Sequence, residues 1–477
     1  MTLPPSQGMD WLKTLLNEHA QEQKILQAPL MLADVWDNVH LFFGLQPFFY
    51  DRAGLFWFWQ PSTFRWTPVD ETDVMTSLDT NLHLTGLTLR SGLKMMYLEA
   101  FKRYGRLHIP PDPPPTWLQF KDQIYDLTTG QVHPATPNYF ICNPLPWTLG
   151  PTEETPTMDR LFTEWVGEQY VPTLYELLAY CCLPDYPLHR IVAIVGTGAN
   201  GKSQFQKVLS TFLGIYNICS TELDQLSEHA RFETLRFHKK LACIMGETEF
   251  ATIKKTGMIK RLSGQDLIPM EVKGGKHFEA YSYAKLWVNT NQLPSSTDKS
   301  DGWFRRWIIL EFPHQFEDGH EIYLTIPPAE YEALARKVLH LLPALLARGK
   351  FTNEGTIQER REAYELASNP LPYFLAEYCE LNPFEEPYTF FGQFYTAYSQ
   401  FLNYLKKRSI STKELSKNLA QEGIELKNTT KTRHSGTFDS FGSGKMEYIK
   451  GFFVENVKIE GAKLQRLLHG EKSAPLL

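Results

Sequence analysis

The sequence predicts an α/β core domain, with an α+β domain before it and a small helix-and-wing module after it. Three observations carry this. Between Arg190 and Phe312, short apolar runs alternate with stretches of helical period: RIVAIV, SQFQKVLSTFLG, KLACIM, YAKLWVNTN and RWIILEF. Runs that are apolar at consecutive positions fit strands buried on both faces, as in a sheet covered by helices. Upstream, aromatic residues alternate along strand-like segments separated by turn residues, and downstream a polar helical pattern leads into basic strands.

Taken in order, residues 1–29 read as a tail. Residues 30–155 read as the α+β domain: LFFGLQPFFYDRAGLFWFWQ is a hairpin turned at DRAG, and WLQFKDQIYDLTTGQ is a further strand and turn. IPPDPPPTW (109–117) cannot continue a helix or a central strand and divides that domain. Residues 156–367 form the core domain, entered through helical spacing over Thr157 to Leu183 and left through YEALARKVLHLLPALLARG. Residues 368–477 begin at SNP and contain TKELSKNLAQEG followed by basic, Gly-containing strands. A chain of 477 residues has room for two or three such domains.

Hydrophobic residues at 43% and charged ones at 21% place the chain with ordinary soluble globular proteins. No apolar run approaches the roughly 18 residues that cross a bilayer. MTLPPSQGMDWLKTLLNEHA has no basic stretch leading into an apolar core, so no secretory leader is expected. Cys142, Cys181, Cys182, Cys219, Cys243 and Cys379 make no CxxC or zinc-type cluster and read as reduced core thiols, which points to the cytoplasm, without a membrane partner. The net charge of −6 is unevenly spread. Asn403 to Leu464 carries 12 Lys and Arg against 7 Asp and Glu, a net of +5 on an otherwise acidic body.

GTGANGKS matches GxxxxGK[ST] throughout: Gly196, Thr197, Gly198, Ala199, Asn200, Gly201, Lys202, Ser203. A strand precedes it, and the helix after it places Phe205, Val208, Leu209 and Phe212 on one face before Gly214 stops it. In such a loop the backbone N–H groups turn onto phosphate oxygens and the helix N-terminus adds positive potential. Lys202 is expected to reach the β- and γ-phosphates of a nucleotide, and Ser203 to hold Mg²⁺. Hydrolysis also needs a carboxylate at the end of a neighbouring strand. KLACIMGETE offers Glu247 first, with Glu249 in reserve. KLWVNTNQLP offers Asn289 and Asn291 as polar sensors of the γ-phosphate, and WFRRW offers Arg305 and Arg306 for charge stabilisation from a neighbour.

The order Lys202, Glu247, Asn291, Arg306 within about a hundred residues resembles superfamily 3, a group of AAA+-type helicases of viruses, phages and plasmids. The branch it looks most like is that of phage and plasmid primase-helicases, related to the poxvirus primase-helicase. The resemblance rests on GETEFATIKKTGMIKRLSGQDLIPMEVKG (246–274), TNQLP (290–294) and RRWIILEFP (305–313), and extends over about residues 40–345. It implies an AAA+-type P-loop motor over 156–367, preceded by the α+β domain of the primase-helicases. Its activity would be ATP hydrolysis with Mg²⁺ in a replicative DNA helicase of a phage, plasmid or mobile element, in the cytoplasm of a bacterial or phage-infected cell. The particle would be a hexameric ring with ATP between subunits. Lys202 and Ser203 would be the Walker A pair, Glu247 the Walker B acid and a second support of the metal, Asn291 the sensor and Arg306 the arginine finger. The family often has two adjacent acids, whereas Gly246 precedes Glu247 here.

Ile268, Met270 and Val272 alternate before Gly274–Gly275, and Phe278 and Ala280 alternate after them, which reads as a hairpin with a two-residue turn. Lys273, Lys276 and His277 lie at its tip. In superfamily 3 a hairpin at this place enters the ring channel and follows single-stranded DNA with its basic tip. The C-terminal module resembles a winged helix, which would bind duplex or fork DNA through phosphate contacts. Paired carboxylates for a polymerase-type primase are not found, which argues against that domain in this chain; a separate primase is a candidate partner, and the sequence does not show whether one is recruited. The alternative is an NTP-switched loader or initiator that binds DNA without unwinding it.

Overall fold

The computed structural model describes residues 35–83, 91–228, 233–246, 252–271, 277–316, 321–381, 388–405, 407, 409–434, 446–455 and 457–469. After a helix over Val35–Leu45, strands β1 (Phe48–Tyr50), β2 (Phe56–Gln60) and β3 (Arg65–Val69) form an antiparallel sheet. The DRAG turn is built by Asp51, whose carboxylate accepts from the Leu55 N–H and the Trp57 Nε1–H, both at 2.8 Å. Alternation along β2 supplies two cores. Phe56 and Phe58 pack with Val39, Phe42 and Phe101 of the helices, while Trp57 and Trp59 pack with Phe49 and Trp66 on the other face. Strands β4 (Trp117–Phe120), β5 (Gln123–Asp126) and β6 (Val132–Pro134) make a second antiparallel sheet. Its Leu118 and Phe120 belong to the largest core of the molecule, so apolar packing runs continuously into the central domain.

Two helices, Pro156–Val166 and Val171–Cys181, lead into the central sheet. This sheet holds β7 (Ile191–Val195), β8 (Ile218–Thr221), β9 (Ala242–Met245), β13 (Lys285–Thr290) and β15 (Trp307–Glu311). Its spatial order is β15-β7-β13-β9-β8, and every pairing is parallel. Val192 and Ile194 face the core built with the Lys202–Leu213 helix, and Ile191, Ala193 and Val195 face a second core with Phe237, Trp303 and Tyr364. Burial on both faces is why β7 and β9 are apolar at every position and why β13 and β15 carry apolar runs, with Lys285, Asn289, Thr290 and Glu311 towards their ends. The exception is β8, whose ICST is half exposed at the sheet edge and carries no apolar run that would announce it.

Between β9 and β13 the chain adds β10 (Thr252–Ile253), which pairs in parallel with β14 (Ser295–Ser296), and a hairpin of β11 (Leu267–Glu271) and β12 (His277–Tyr281). After β15 come the helices Pro328–Arg348 and Ile357–Ser368. The latter opens with a reciprocal cap between Thr356 and Glu359.

The C-terminal module has its own core around Phe374, Phe394, Tyr398, Phe401, Leu415 and Leu419. β16 (Cys379–Leu381) pairs with β20 (Val457–Ile459), and β17 (Tyr388–Phe390), β18 (Leu426–His434) and β19 (Met446–Glu455) form a sheet of order β17-β19-β18. The expected TKELSKNLAQEG helix spans Thr412–Gln421, and Ser411 Oγ accepts from the Glu414 N–H at its start. Among the described residues no helix is long and apolar enough to cross a membrane.

Candidate nucleotide site

In the central sheet the chain leaves β7 for the far side, to β8, and returns through β9 and β13 before placing β15 on the other flank. β7 is therefore where the winding reverses, and open α/β sheets bind ligands in the crevice beyond the carboxyl ends of the strands at such a point. The GxxxxGK[ST] residues lie there. β7 ends at Val195, Gly196–Gly201 form the loop, and Lys202 begins a twelve-residue helix.

The loop needs its glycines for two different reasons. Gly198 and Gly201 have φ of +105° and +86°. A Cβ on Gly196 would fall 2.8 Å from the Phe312 carbonyl oxygen, and one on Gly201 would fall 2.6 Å from the Trp165 ring. The loop is strapped from outside by the segment after β15. Asn200 Nδ2 donates to the Phe312 carbonyl at 3.0 Å, the Phe316 N–H donates to the Ala199 carbonyl at 2.7 Å, and Gln315 Nε2 donates to Thr197 Oγ1 at 3.2 Å. No motif points to Gln315 or Phe316; the FP dipeptide at 312–313 was the only nearby signal.

Lys202 is 7% exposed, and its ammonium donates to the Gly196 carbonyl, to Asn200 Oδ1 at 2.9 Å and to Asn291 Oδ1 at 3.1 Å. Ser203 is exposed beside it in the first helical turn. Asn291 follows Thr290, the residue of β13 paired with Val195. Two positions 89 residues apart are thus brought together by neighbouring strands. Asn289, the other asparagine of that strand, points elsewhere: its Oδ1 is buried without a hydrogen bond among the described residues. Gly246 stands at the same sheet edge, one residue past the end of β9. Glu247 and Glu249 lie outside the described residues.

Arg305 and Arg306 lie at the opposite edge. Trp307 pairs with Ile191, the first residue of β7, so five residues of strand, roughly 17 Å, separate this pair from the phosphate loop of the same chain. Arg306 is 8% exposed, and its guanidinium donates to the Gly302 carbonyl and, at 3.2 Å, to Ser263 Oγ. Burial and the neighbouring Arg305 charge lower its pKa. Arg305 is exposed, and its guanidinium makes no hydrogen bond or ion pair among the described residues.

The expected hairpin is present, with Ile268 opposite Ala280 and Met270 opposite Phe278. Its register corrects the expected turn. A two-residue turn at Gly274–Gly275 would set Glu271 opposite Phe278, whereas Glu271 pairs with His277; residues 272–276, with the expected turn, lie outside the described residues. Loop length and strand register are coupled, and an odd-numbered loop shifts the pairing by one. His277 is exposed at the described end, 3.7 Å from Glu271. Lys273 and Lys276 lie outside the described residues. Beside His277, the Phe278 ring meets His238 edge to face, and His238 also meets Trp57 of the first domain.

Residues 194–306 match a family of unknown function (DUF5906). An uncharacterized mitochondrial protein, ymf21, of Marchantia polymorpha is 23% identical over 140 residues, covering 26% of this chain and 78% of that protein. Among solved structures, an A-form apo structure of the NrS-1 C-terminal region aligns over 82% of this chain and 86% of that one, at 12% identity and a TM-score of 0.46. Another apo structure of the same NrS-1 region aligns over 90% and 99%, at 12% identity and a TM-score of 0.49.

Proposed function

We propose that this chain is an Mg²⁺-dependent ATP hydrolase of the superfamily 3, AAA+ helicase type, moving on DNA as a hexameric ring in the replication of a phage, plasmid or mobile element. The observation that carries the reading is the convergence of Lys202 and Asn291 in a glycine-built cradle at the switch point of a parallel sheet. The cradle fits a polyphosphate. Its ammonium sits among neutral oxygens of Gly196, Asn200 and Asn291, at the start of the Lys202–Leu213 helix, the end of a helix that favours anions. Lys202 would bind the β- and γ-phosphates, and Asn291 would exchange its bond to Lys202 for one to the γ-phosphate or the attacking water. Ser203 and Glu247 are the residues proposed to hold Mg²⁺, with Glu247 also orienting water. When bound, the metal supplies positive charge to the phosphate oxygens.

The arginine finger is best assigned to Arg305. It is the member of the pair with a guanidinium free to reach a neighbouring subunit, while Arg306 fastens the short Asp301–Phe304 helix to Ser263. Lys273, Lys276 and His277 would follow a DNA strand from the hairpin tip, and the C-terminal module, as a winged helix, would bind the duplex or fork.

The test is ATP hydrolysis and unwinding of a forked duplex by the wild type, Lys202→Ala and the Lys273→Ala/Lys276→Ala pair. Hydrolysis stimulated by DNA, abolished in Lys202→Ala, with stimulation and unwinding lost in the lysine pair, is the expected result. DNA-stimulated hydrolysis that survives loss of both lysines, without unwinding, would favour a loader.

A further inference from the structure

The segment carrying Asn291 runs straight into the C-terminal half of the molecule. Gln292 Nε2 donates to the Ser368 carbonyl at 2.6 Å, and the Leu293 N–H donates to the Ala367 carbonyl at 3.2 Å. Both acceptors lie in the last turn of the Ile357–Ser368 helix, where the helical ladder leaves carbonyls open. One residue on, the Tyr364 hydroxyl donates to the Pro294 carbonyl at 2.9 Å. The tip of β13 therefore caps this helix.

The same helix is shared between two cores. Tyr364 and Ala367 pack with Leu293, Trp303 and Trp307 of the central domain, whereas Leu366 packs with Leu371, Phe374 and Phe394 of the C-terminal module. Close-packed interiors transmit displacement, so a shift of the helix relative to one core moves the other. A second tie sits nearby. Lys407 of the module lies 3.9 Å from Glu311, the residue of β15 paired with Val195 at the mouth of the phosphate loop. Both side chains are largely buried, at 16% and 24% exposure, so the pair is little screened.

Asn291 touches Lys202, and phosphate oxygens arriving at Lys202 compete for that contact. Thr290 Oγ1 donates to the Gln292 carbonyl at 2.7 Å, so the turn holding Asn291 and Gln292 moves as a unit. Resting on the reading above, we infer that Gln292 and Lys407 are positioning residues that link nucleotide at the Lys202 loop to DNA on the 371–469 module. Linkage is reciprocal, so each ligand changes the other's affinity by the same factor.

The experiment measures the affinity of the full chain for a fluorescent ATP analogue with and without saturating duplex, and for duplex with and without the analogue, at one salt concentration. In the wild type the two ratios should agree, at about fivefold or more. In Gln292→Met/Lys407→Met the ratio should collapse to within about twofold of unity, while Lys407→Arg keeps it. Mere destabilisation would not abolish a ratio and spare it in the conservative variant. Each single Met substitution serves in place of the pair should the pair not fold. A ratio of one in a wild type that binds both ligands overturns the inference and leaves the functional reading standing, and so does a full ratio persisting in the Met variants. A wild type that binds no nucleotide, or no DNA, overturns the functional reading and the inference with it.

Discussion

Gly201→Ala tests the loop where its geometry is most constrained. Gly201 caps the Lys202–Leu213 helix with φ +86° and ψ −5°, and a Cβ there would lie 2.6 Å from both Cδ1 and Nε1 of Trp165. Two costs add. The left-handed conformation is worth about 1–2 kcal/mol against a residue bearing a Cβ, and forcing an extra methyl into a packed core about 1–3 kcal/mol. Trp165 has no room to retreat: it is 2% exposed and packs on Phe162, Phe205 and Phe312. Phe312 in turn accepts from Asn200 of the loop, so displacement of the indole also disturbs the cradle. The expectation is a loss of about 2–5 kcal/mol, seen as a lower urea midpoint at unchanged slope, together with weakened nucleotide binding. Trp165→Leu destabilises by leaving a cavity, but combined with Gly201→Ala it relieves the clash. The double variant should then lose less than the sum of the singles by about 0.5–3 kcal/mol. A Gly201→Ala protein within about 0.5 kcal/mol of wild type, or strict additivity in the cycle, would refute this account.

Arg305→Ala should bind nucleotide yet lose about a thousandfold in hydrolysis. Mixed with Lys202→Ala it should regain activity, because one kind of interface then has both an intact loop and an intact arginine; no recovery at any mixing ratio sinks the assignment. Arg306→Ala should instead cost about 1–3 kcal/mol of stability, having lost its buried donors to Gly302 and Ser263, which a denaturant titration measures. Burial among aromatic rings pushes His238 down to about 4, aided by the Lys239 charge. Its protonated form is therefore disfavoured in the folded state: stability is flat above about pH 6.5 and falls between there and pH 4, by about 2 kcal/mol at pH 5. His238→Gln should remove that part of the pH dependence, and identical pH 7 to pH 5 shifts in both proteins would count against it. Lys413→Gln/Lys417→Gln, changing two exposed positions of the Thr412–Gln421 helix, should lower the slope of log affinity against log salt for duplex by about 2. An unchanged slope would remove this helix from the DNA interface.

The parts of the fold that were legible are those in which one physical rule acts alone. Four of the five central strands announce themselves because burial on both faces gives each an uninterrupted apolar run. The edge strand β8, free of that demand, leaves ICST with no pattern. The helix after the loop was legible down to its buried face, since Phe205, Val208, Leu209 and Phe212 are all fully buried. The hairpin strands were legible from their alternation, but their register was not. Period-two alternation determines which residues share a face, while the number of residues in the turn decides which residues sit opposite each other.

The pairing of Lys202 with Asn291 was foreseeable because a parallel sheet levels the carboxyl ends of its strands, so two polar residues at strand ends meet if the strands are neighbours. Neighbourhood is the part the sequence leaves open: Thr290 lies beside Val195 only because β9 and β8 were placed further out. The two arginines fall outside this logic. They follow a four-residue helix, Asp301–Phe304, and consecutive residues at a helix end point about 100° apart. Which of the two is buried then depends on what packs beneath, here Ser263 and the Gly302 carbonyl. The Ile357–Ser368 helix poses the same difficulty at the scale of domains. Tyr364 and Ala367 lie three apart on one face and Leu366 lies on another, so its apolar residues read as one irregular stripe, although they serve two cores. A boundary drawn at its end conceals the element that both sides share. That sharing gives the Gln292 contact its mechanical interest, because a helix that belongs to both cores cannot be neutral between them.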